Sequence, residues 1–124
     1  MRVGIDLVDV SRFSGERFTP EVYYRLFTPK ERDHIESVGS VQLQQERMAG
    51  KFAAKEAVVK MLGFGINKGI SWQDIEILPN DLGKPVLTLF NGALKVYTDL
   101  RLHHADISIS HTAEFATAIC IAEE

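Results

Sequence analysis

The 124-residue sequence has a single cysteine, Cys120, which excludes a disulfide within the chain and any zinc site that needs two cysteines. It has no apolar run near the ~20 residues that a transmembrane helix requires. Its first dozen residues contain two acidic residues and two arginines instead of the apolar core of a signal peptide. These absences favour a cytoplasmic protein, with Cys120 as a small buried residue of a strand.

The sequence also lacks a strong net charge. Lys and Arg number 14 against 17 Asp and Glu, which leaves a formal net charge of −3. Bulk electrostatics therefore indicate neither nucleic acid nor a membrane surface as a partner, and any anion has to be bound by a local cluster of side chains. The 45% apolar and 25% charged residues are the ordinary balance of a folded protein, and the length predicts one domain over residues 1–124.

Alternation of apolar residues predicts a strand over residues 2–10. Ile5 and Leu7 fall on one face of that strand, and Gly4 and Asp6 fall on the other. Because an acidic side chain in the middle of a strand requires a partner, Asp6 is the first residue of the chain that points to a site.

Helix start and stop signals follow. Thr19 and Thr28 are each followed by proline, which predicts a helix start at each. Glu31 stands three residues after Thr28, which is the spacing of a capping box, and Gly39 is the predicted end of the second helix. Residues 41–62 contain no proline and predict one long helix that ends at Gly63.

The second half of the chain predicts a hairpin, a short helix and two closing strands, over residues 71–78 with 84–89, 91–102, 106–110 and 115–122. Asn91 is the predicted N-cap of the short helix, and His103 and His104 are predicted at its exposed end. Strands near both termini with helices between them favour an α+β fold, in which an antiparallel sheet packs against one long helix.

The predicted long helix carries three charged residues, Lys55, Glu56 and Lys60, in a crowded apolar turn. Apolar side chains lie on both of its faces, which predicts burial on both sides. The simplest interpretation of the charges is an i,i+4 ion pair between Glu56 and Lys60. Small alanines leave room beside Glu56, however, and burying a charge is costly unless it is paired. The alternative is that Glu56 coordinates a ligand and Lys60 meets an anion.

A glycine-rich loop follows Lys60. Gly63 and Gly65 would let the backbone come close to a bulky anion, and exposed amides in such a loop can bind phosphate. The spacing is neither that of a P-loop nor GxGxxG after a strand, so this signal is weak when taken by itself.

Ser110, His111 and Thr112 place three hydrogen-bonding side chains at the predicted end of a strand. A lone histidine at a strand end is more often structural than catalytic, so this cluster alone does not assign a role. A Ser-His-Asp triad with Asp6 is disfavoured, because adjacent residues of a strand point to opposite faces.

Three segments are more specific together than any one of them: GIDLVDVSR at 4–12, KFAAKEAVVK at 51–60 and SISHT at 108–112. In this order and at this chain length, the sequence resembles the holo-acyl-carrier-protein synthases, which are the short, single-lobed 4′-phosphopantetheinyl transferases. Residues 69–77 and 83–85 are also similar to that family, so the resemblance covers almost the whole chain.

The resemblance implies an enzyme that moves the phosphopantetheine arm of coenzyme A to a serine of an apo acyl carrier protein and releases 3′,5′-ADP. It implies Asp6 and Glu56 as ligands of Mg²⁺ and, with Lys60, as catalytic residues. Lys60 would lie near the phosphates and His111 near the nucleotide of coenzyme A, while Arg12 would face the acidic carrier.

The resemblance adds further residues to the coenzyme A site and to the carrier contact. Gly63, Gly65 and Thr112 complete the predicted coenzyme A site, and Arg25 joins Arg12 in the predicted carrier contact. Relatives with two such lobes place their site between the lobes. With one lobe, this chain resembles the members of the family that assemble as a homotrimer, and that resemblance implies sites shared between subunits.

The residues suit this chemistry on their own terms. Breaking a diphosphate requires charge neutralisation more than covalent catalysis, and Mg²⁺ favours carboxylates, phosphate oxygens and water as ligands. The serine nucleophile belongs to the carrier, so the chain needs a base and no activated serine of its own. Glu56, a metal-bound water and Asp6 are all candidates for that base.

Two other functions stay open at this point. One is a non-catalytic module of the same fold that binds coenzyme A or carrier proteins, against which the intact set of Asp6, Glu56 and Lys60 argues. The other is an α+β interaction domain in which the charged turn is purely structural.

Overall fold

Five β-strands and four α-helices follow one another in a mixed order, and the computed structural model describes every residue from Met1 to Glu124. The strands are β1 (Arg2–Asp9), β2 (Ile75–Pro79), β3 (Pro85–Leu89), β4 (His103–His111) and β5 (Phe115–Glu123). The helices are α1 (Pro20–Leu26), α2 (Pro29–Glu36), α3 (Val41–Leu62) and α4 (Asn91–Asp99), with 3₁₀ turns at Val10–Phe13 and Trp72–Asp74. Each helix is too short or too polar to span a membrane.

Two antiparallel sheets organise the strands. The larger sheet has the order β1-β5-β4, and its β1–β5 register runs from Arg2 opposite Ala122 to Asp9 opposite Phe115. Strands β2 and β3 form a separate hairpin. The predicted α+β fold, an antiparallel sheet packed against one long helix, is confirmed.

Helix α3 crosses one face of the larger sheet, and Gly4 permits its close approach. A methyl group at Gly4 would lie 1.9 Å from the carbonyl oxygen of Ala57, so a larger residue would push the helix away. At the other end of the crossing, a methyl group at Gly50 would lie 3.3 Å from the side chain of Ile109 in β4. The N-terminal half of α3 therefore lies near the β4 edge, and its C-terminal half lies over β1.

A buried ion pair fastens the other side of α3 to the rest of the chain. Lys55 Nζ lies 2.7 Å from Glu31 Oε1, and both side chains are 0% exposed. The ammonium also donates to the carbonyls of Leu26 and Trp72, so its three N–H groups all have acceptors. Glu31 Oε2 accepts from the backbone N–H of Ile77. Helix α3 is thus buried on both sides, as its apolar faces predicted, and Lys55 is a structural residue.

The face of the larger sheet that points away from α3 is apolar and exposed. Val3, Ile5 and Leu7 of β1 are 58%, 61% and 66% exposed, and Phe115 and Ile119 of β5 are exposed beside them. Asp6 points to the opposite face, under α3, so the predicted alternation of β1 is confirmed.

Local capping defines most helix ends as predicted. The hydroxyl of Thr19 accepts from the N–H of Val22, and Thr28 forms a capping box with Glu31. Helix α3 ends at Gly63, which has a left-handed backbone with φ 77° and closes the helix without the steric cost that a side chain would bring there.

Two predicted helix ends are wrong because tertiary contacts override the local signal. Helix α2 ends at Glu36, before Gly39, and the carbonyl of His34 in its last turn accepts from Arg47 of α3. Asn91 is the first residue of α4 and not its N-cap, which is Phe90. The Asn91 amide instead donates to Asp74, at 3.4 Å.

The predicted position of His103 and His104 at the end of a helix is also wrong. Helix α4 ends at Asp99, and both histidines belong to β4. Strand β5 continues to Glu123 and supplies the backbone partner for His103, which favours an extended backbone there.

Candidate functional site

Asp6 lies on the edge strand β1, and its carboxylate turns towards α3. Lys60 Nζ donates to Asp6 Oδ1 and to the carbonyl of Ile5, both at 3.0 Å. The backbone carbonyl of Asp6 is held by the hydroxyl of Thr117 at 2.8 Å. The Asp6 side chain is 17% exposed and that of Lys60 is 54% exposed, so this ion pair is open to solvent on the lysine side.

Glu56 completes a compact group of charges above Asp6. Partial burial raises the pKa of Glu56, and the negative charge of Asp6 raises it further, while Arg12 and Lys60 oppose the shift. The i,i+4 pair with Lys60 does not form, because Lys60 turns to Asp6 instead. We call Asp6, Arg12, Glu56 and Lys60 the acid-pair site.

The donor set of the acid-pair site fits a hard divalent cation. Its two acidic side chains offer only oxygen ligands, and no histidine or cysteine stands among them to favour a softer metal. Burial is the main cause of the raised pKa of Glu56, and a cation bound between the two carboxylates would relieve the repulsion from Asp6 that adds to it. Asp6 and Glu56 could therefore hold Mg²⁺.

Gly63 and Gly65, three and five residues beyond Lys60, have different requirements. Gly63 needs to be glycine for its left-handed backbone, and an added methyl would lie 2.9 Å from Arg2, whose side chain donates to the last carbonyls of α3. At Gly65 the nearest contact of an added methyl would be an ordinary 3.7 Å from Lys68. The end of α3 therefore explains why residue 63 is a glycine, whereas no packing contact requires a glycine at residue 65.

His111 lies at the β4 edge of the sheet, where its Nδ1 is 2.9 Å from Glu46 Oε1. The hydroxyl of Thr112 accepts from the N–H groups of Glu114 and Phe115 and so shapes the turn to β5. Ser110 is exposed and lies on the opposite face of β4 from His111, in agreement with the rejection of a triad.

A cleft of about 330 Å³ opens beside His111, between α3, β4 and the β2–β3 hairpin. We call it the β4-side cleft; it is lined by His34, Glu46, Arg47, Gly50, Lys51, Ile77, Leu78, Pro79, Gly83, Pro85, Ile109 and His111. Its basic side chains and its size suit an anionic ligand of moderate bulk.

The acid-pair site and the β4-side cleft lie on opposite sides of α3. Asp6 of β1 pairs with Ala118 of β5, which pairs in turn with Ile109 of β4, so two strand spacings of about 4.8 Å each separate Asp6 from the cleft. On a helical wheel, the four α3 residues that line the cleft fall about 80° to 180° from Glu56, and their mean direction is about 150° from it. The structure therefore brings Asp6, Glu56 and Lys60 together but does not bring His111 and Thr112 to them within one chain.

Arg12 and Arg25, the two arginines predicted to contact the carrier, lie on either side of an aromatic pair next to the acid-pair site. The guanidinium of Arg12 lies 4.7 Å from the ring centre of Phe52, whose ring is 5.1 Å from that of Trp72. Trp72 and Arg25 line the same open cleft. Arg32, by contrast, stacks on Tyr24 and donates to a backbone carbonyl, so it is not a free surface charge.

A profile of known families matches this chain over nearly its whole length. The model of the 4′-phosphopantetheinyl transferase superfamily covers residues 2–120. The chain belongs to the 4′-phosphopantetheinyl transferase superfamily. The expected resemblance is thereby confirmed.

Named relatives and solved structures of this transferase agree with that assignment. A holo-[acyl-carrier-protein] synthase of Geobacter sulfurreducens is 40% identical over 122 residues, which cover 97% of this chain and 94% of the relative. The Helicobacter pylori holo-[acyl-carrier-protein] synthase in complex with coenzyme A superposes with a TM-score of 0.81 at 30% identity, over 98% of this chain and 99% of that one. The Bacillus anthracis synthase, in complex with CoA (3′,5′-ADP), has a TM-score of 0.78 at 35% identity, over 98% and 94%.

Several polar residues of this transferase were not assigned a role from the sequence. Lys51 and Arg47 line the β4-side cleft one helical turn apart, and burial lowers the pKa of Lys51 to about 8. His34 lines it too, with a buried Nδ1 that has no hydrogen-bond partner, and burial lowers the pKa of His34 to about 4. Lys51 stands inside the segment 51–60, where helical rotation turns it away from Glu56, but only the fold reveals that this direction leads into the β4-side cleft.

Proposed function

We propose that this chain transfers the 4′-phosphopantetheine group of coenzyme A to a serine of an apo acyl carrier protein and releases 3′,5′-ADP. One observation carries the proposal: Asp6, Glu56 and Lys60, from distant parts of a chain of this family, converge at the β1 edge of the sheet. Two carboxylates that can hold a divalent cation, with one lysine ammonium beside them, suit the binding of a diphosphate. A single domain, residues 1–124, supplies these groups, and buried Cys120 suits the reducing cytoplasm.

Asp6 and Glu56 are the residues that would hold Mg²⁺. Bound there, the ion supplies charge neutralisation to the diphosphate of coenzyme A. Lys60, which is exposed, can then turn from Asp6 to the phosphate oxygens and stabilise the charge on the departing 3′,5′-ADP. The Gly63 N–H already donates to the Val59 carbonyl, so Gly65 is the glycine of this loop whose amide can contribute a donor to the same phosphates.

Glu56 is the best-placed group to accept the proton of the carrier serine. The Glu56 carboxylate is half-buried and takes part in no hydrogen bond or ion pair within the chain, so one of its oxygens can accept the proton while the other would hold the cation. The serine oxygen attacks the phosphorus that bears the pantetheine arm, and its proton passes to a Glu56 oxygen directly or through one water. The bond from that phosphorus to the bridging oxygen breaks, which releases 3′,5′-ADP.

The adenosine end of coenzyme A suits the β4-side cleft, where His111 and Arg47 can face its 3′-phosphate and buried Lys51 adds positive charge behind them. Thr112, the residue after His111, can donate a hydroxyl hydrogen bond from the edge of the cleft. This cleft and the acid-pair site lie on opposite sides of α3. One coenzyme A molecule would therefore join the acid-pair site of one subunit to the cleft of its neighbour.

The sharing of each site requires an assembly, and the exposed apolar face of the larger sheet supplies the contact. Val3, Ile5 and Leu7 form a continuous apolar row on β1, which a monomer would leave in water. A ring of three chains buries this row and closes three equivalent sites. The carrier would dock beside each site, with its acidic surface against Arg12 and Arg25.

Intact-mass measurement of an apo carrier tests the transfer. After incubation with the purified chain, coenzyme A and Mg²⁺, the carrier should gain the mass of one phosphopantetheine group, and EDTA should abolish the gain. A carrier that another synthase modifies, but that gains no mass here, would overturn the proposal. Calorimetric binding of coenzyme A without transfer, and indifferent to Mg²⁺, would instead support a non-catalytic binding module.

Mixed assemblies test the sharing of the site. Asp6→Asn and His111→Ala chains should each be inactive, but random mixing should restore about a quarter of the sites, because a site needs Asp6 from one chain and His111 from the next. A mixture of Asp6→Asn with Lys60→Ala is the control, since both changes damage the same half-site and no mixing repairs it. If native mass spectrometry of differently tagged chains shows mixed trimers and the first mixture stays inactive, the sites are not shared.

A further inference from the structure

Two imidazoles and one carboxylate meet on the surface where β4 begins and β5 ends. His104 Nδ1 lies 3.1 Å from Glu123 Oε2, and His103 Nε2 lies 3.6 Å from the same oxygen. One ligand atom from each of the three residues lies within 4.8 Å of the other two. Neither the acid-pair site nor the β4-side cleft uses any of them.

A bulge in β4 produces this convergence. His103 pairs with Glu123 and the next register pair is Asp106 with Ile121, so β4 inserts one extra residue between these two pairs. His104 adopts a left-handed backbone with φ 53° inside the bulge. Consecutive residues of a regular strand point to opposite faces, whereas here the rings of His103 and His104 lie 4.9 Å apart and both reach Glu123.

The spacing matches the coordination sphere of a tetrahedral metal ion. With metal–ligand bonds of about 2.0–2.1 Å, neighbouring ligand atoms of a tetrahedron lie about 3.3 Å apart. The two separations to Glu123 Oε2, 3.1 and 3.6 Å, bracket that value. Two imidazole nitrogens and one carboxylate oxygen, with water in the fourth position, form a ligand set that zinc accepts and Mg²⁺ does not favour.

The charges around the cluster leave it free to bind a cation. No lysine or arginine pairs with Glu123, whose only basic neighbours within 4.0 Å are the two histidines. The adjacent Glu124 pairs with the N-terminal ammonium and does not compete. All three side chains are exposed, so an ion can reach them from solvent.

We propose that His103, His104 and Glu123 form a binding site for a borderline divalent metal ion of the zinc type, separate from the acid-pair site. The site stands at the opposite end of β4 from His111, about 25 Å away along a strand of this length. A bound ion would tie the start of β4 to the end of β5 and hold the end of the sheet together.

Zinc titration by calorimetry tests the site, with Mg²⁺ in excess to occupy the hard-ligand acid-pair site. The intact chain should bind one Zn²⁺ per subunit, and His104→Ala and Glu123→Gln should each weaken this binding roughly tenfold or more. His111→Ala is the matched control, because it removes another exposed histidine paired with a glutamate; it should bind zinc as the intact chain does.

Thermal unfolding supplies an independent readout. Zinc should raise the melting temperature of the intact chain and of His111→Ala, and should leave that of His104→Ala unchanged. Absence of zinc binding by the intact chain, or equal binding by His104→Ala, would overturn the proposal. Loss of binding in His111→Ala with retention in His104→Ala would also overturn it, by assigning the ion to the other pair.

Discussion

Two lysines of α3, Lys55 and Lys60, each pair with an acid from a distant part of the chain, yet their surroundings differ completely. Lys55 and Glu31 are 0% exposed, and every N–H group of the ammonium has an acceptor within the fold. Lys60 is 54% exposed and holds only Asp6 and one carbonyl of β1. The first pair is completed by the chain itself, whereas the second leaves room for a ligand.

This difference in burial explains why one crowded turn of α3 carries three charged residues, Lys55, Glu56 and Lys60. Lys55 and Glu56 are neighbours in sequence, but they point about 100° apart around the helix. Lys55 enters the layer formed by α1, α2 and β2, and Glu56 enters the open corner above β1. Burial with full pairing makes a charge part of the architecture, while partial exposure next to a like charge leaves it available for chemistry.

Replacing Lys55 should have the largest effect on stability. Lys55→Met leaves the Glu31 carboxylate buried without its counter-charge and should lower the free energy of unfolding by about 3–5 kcal/mol. Urea unfolding followed by circular dichroism measures the loss. A loss below ~1 kcal/mol would mean that the buried pair contributes nothing that an apolar side chain cannot replace.

Gly4→Ala should have the next largest effect, because it moves α3 relative to β1. The added methyl would lie 1.9 Å from the Ala57 carbonyl, and such overpacking costs about 1–3 kcal/mol. It should also reduce carrier modification, since it separates Glu56 and Lys60 from Asp6. Gly15→Ala is the matched control, because a methyl there meets nothing within 4 Å. Equal behaviour of the two variants would show that the close approach of α3 is not required.

The loss of stability at acidic pH should depend on His34. Burial and two nearby cations lower its pKa to about 4 from 6.5, so between these pH values the unfolded chain binds more protons than the folded chain. Stability should therefore fall as the pH drops from 6.5 to 4. His34→Leu should remove about 1 kcal/mol of that fall, a modest amount because the ring is partly exposed. Parallel pH curves for the two proteins would contradict this.

Lys60→Met should have the smallest effect on folding, in contrast to Lys55→Met. A solvent-exposed ion pair contributes about 0.2–1 kcal/mol, so the free energy of unfolding should barely change. Carrier modification should nevertheless drop sharply, because the phosphates lose their cation. If Lys60→Met unfolded as readily as Lys55→Met, the two lysines would be equivalent and the distinction would fail.

Local signals predicted those parts of the fold that depend on local physics. The bounds of α3 follow from an unbroken helical stretch closed by Gly63, and Thr28 with Glu31 forms the predicted capping box. Asp6 was placed on the correct face of β1 because strand alternation has a fixed period.

Non-local contacts decided the rest. Glu31 was recognised as a capping residue, but its second oxygen binds Ile77, which is 46 positions away in the chain. His103 joins β4 because β5 extends far enough to pair with it, and His104 follows inside the bulge. Lys51 and Glu56 stand in one segment of the sequence, yet Lys51 lines the β4-side cleft and Glu56 lies in the acid-pair site, because different parts of the fold pack on the two sides of α3.

The rate of carrier modification by Glu56→Gln, measured together with its free energy of unfolding, tests the central claim most directly. We expect a rate lower by roughly 100-fold or more, since the variant loses a charged metal ligand and the proton acceptor. Its unfolding free energy should stay within about 1 kcal/mol of the intact chain, because the carboxylate is partly exposed and stabilises no buried partner. A folded variant that modifies the carrier at an unchanged rate would contradict the account.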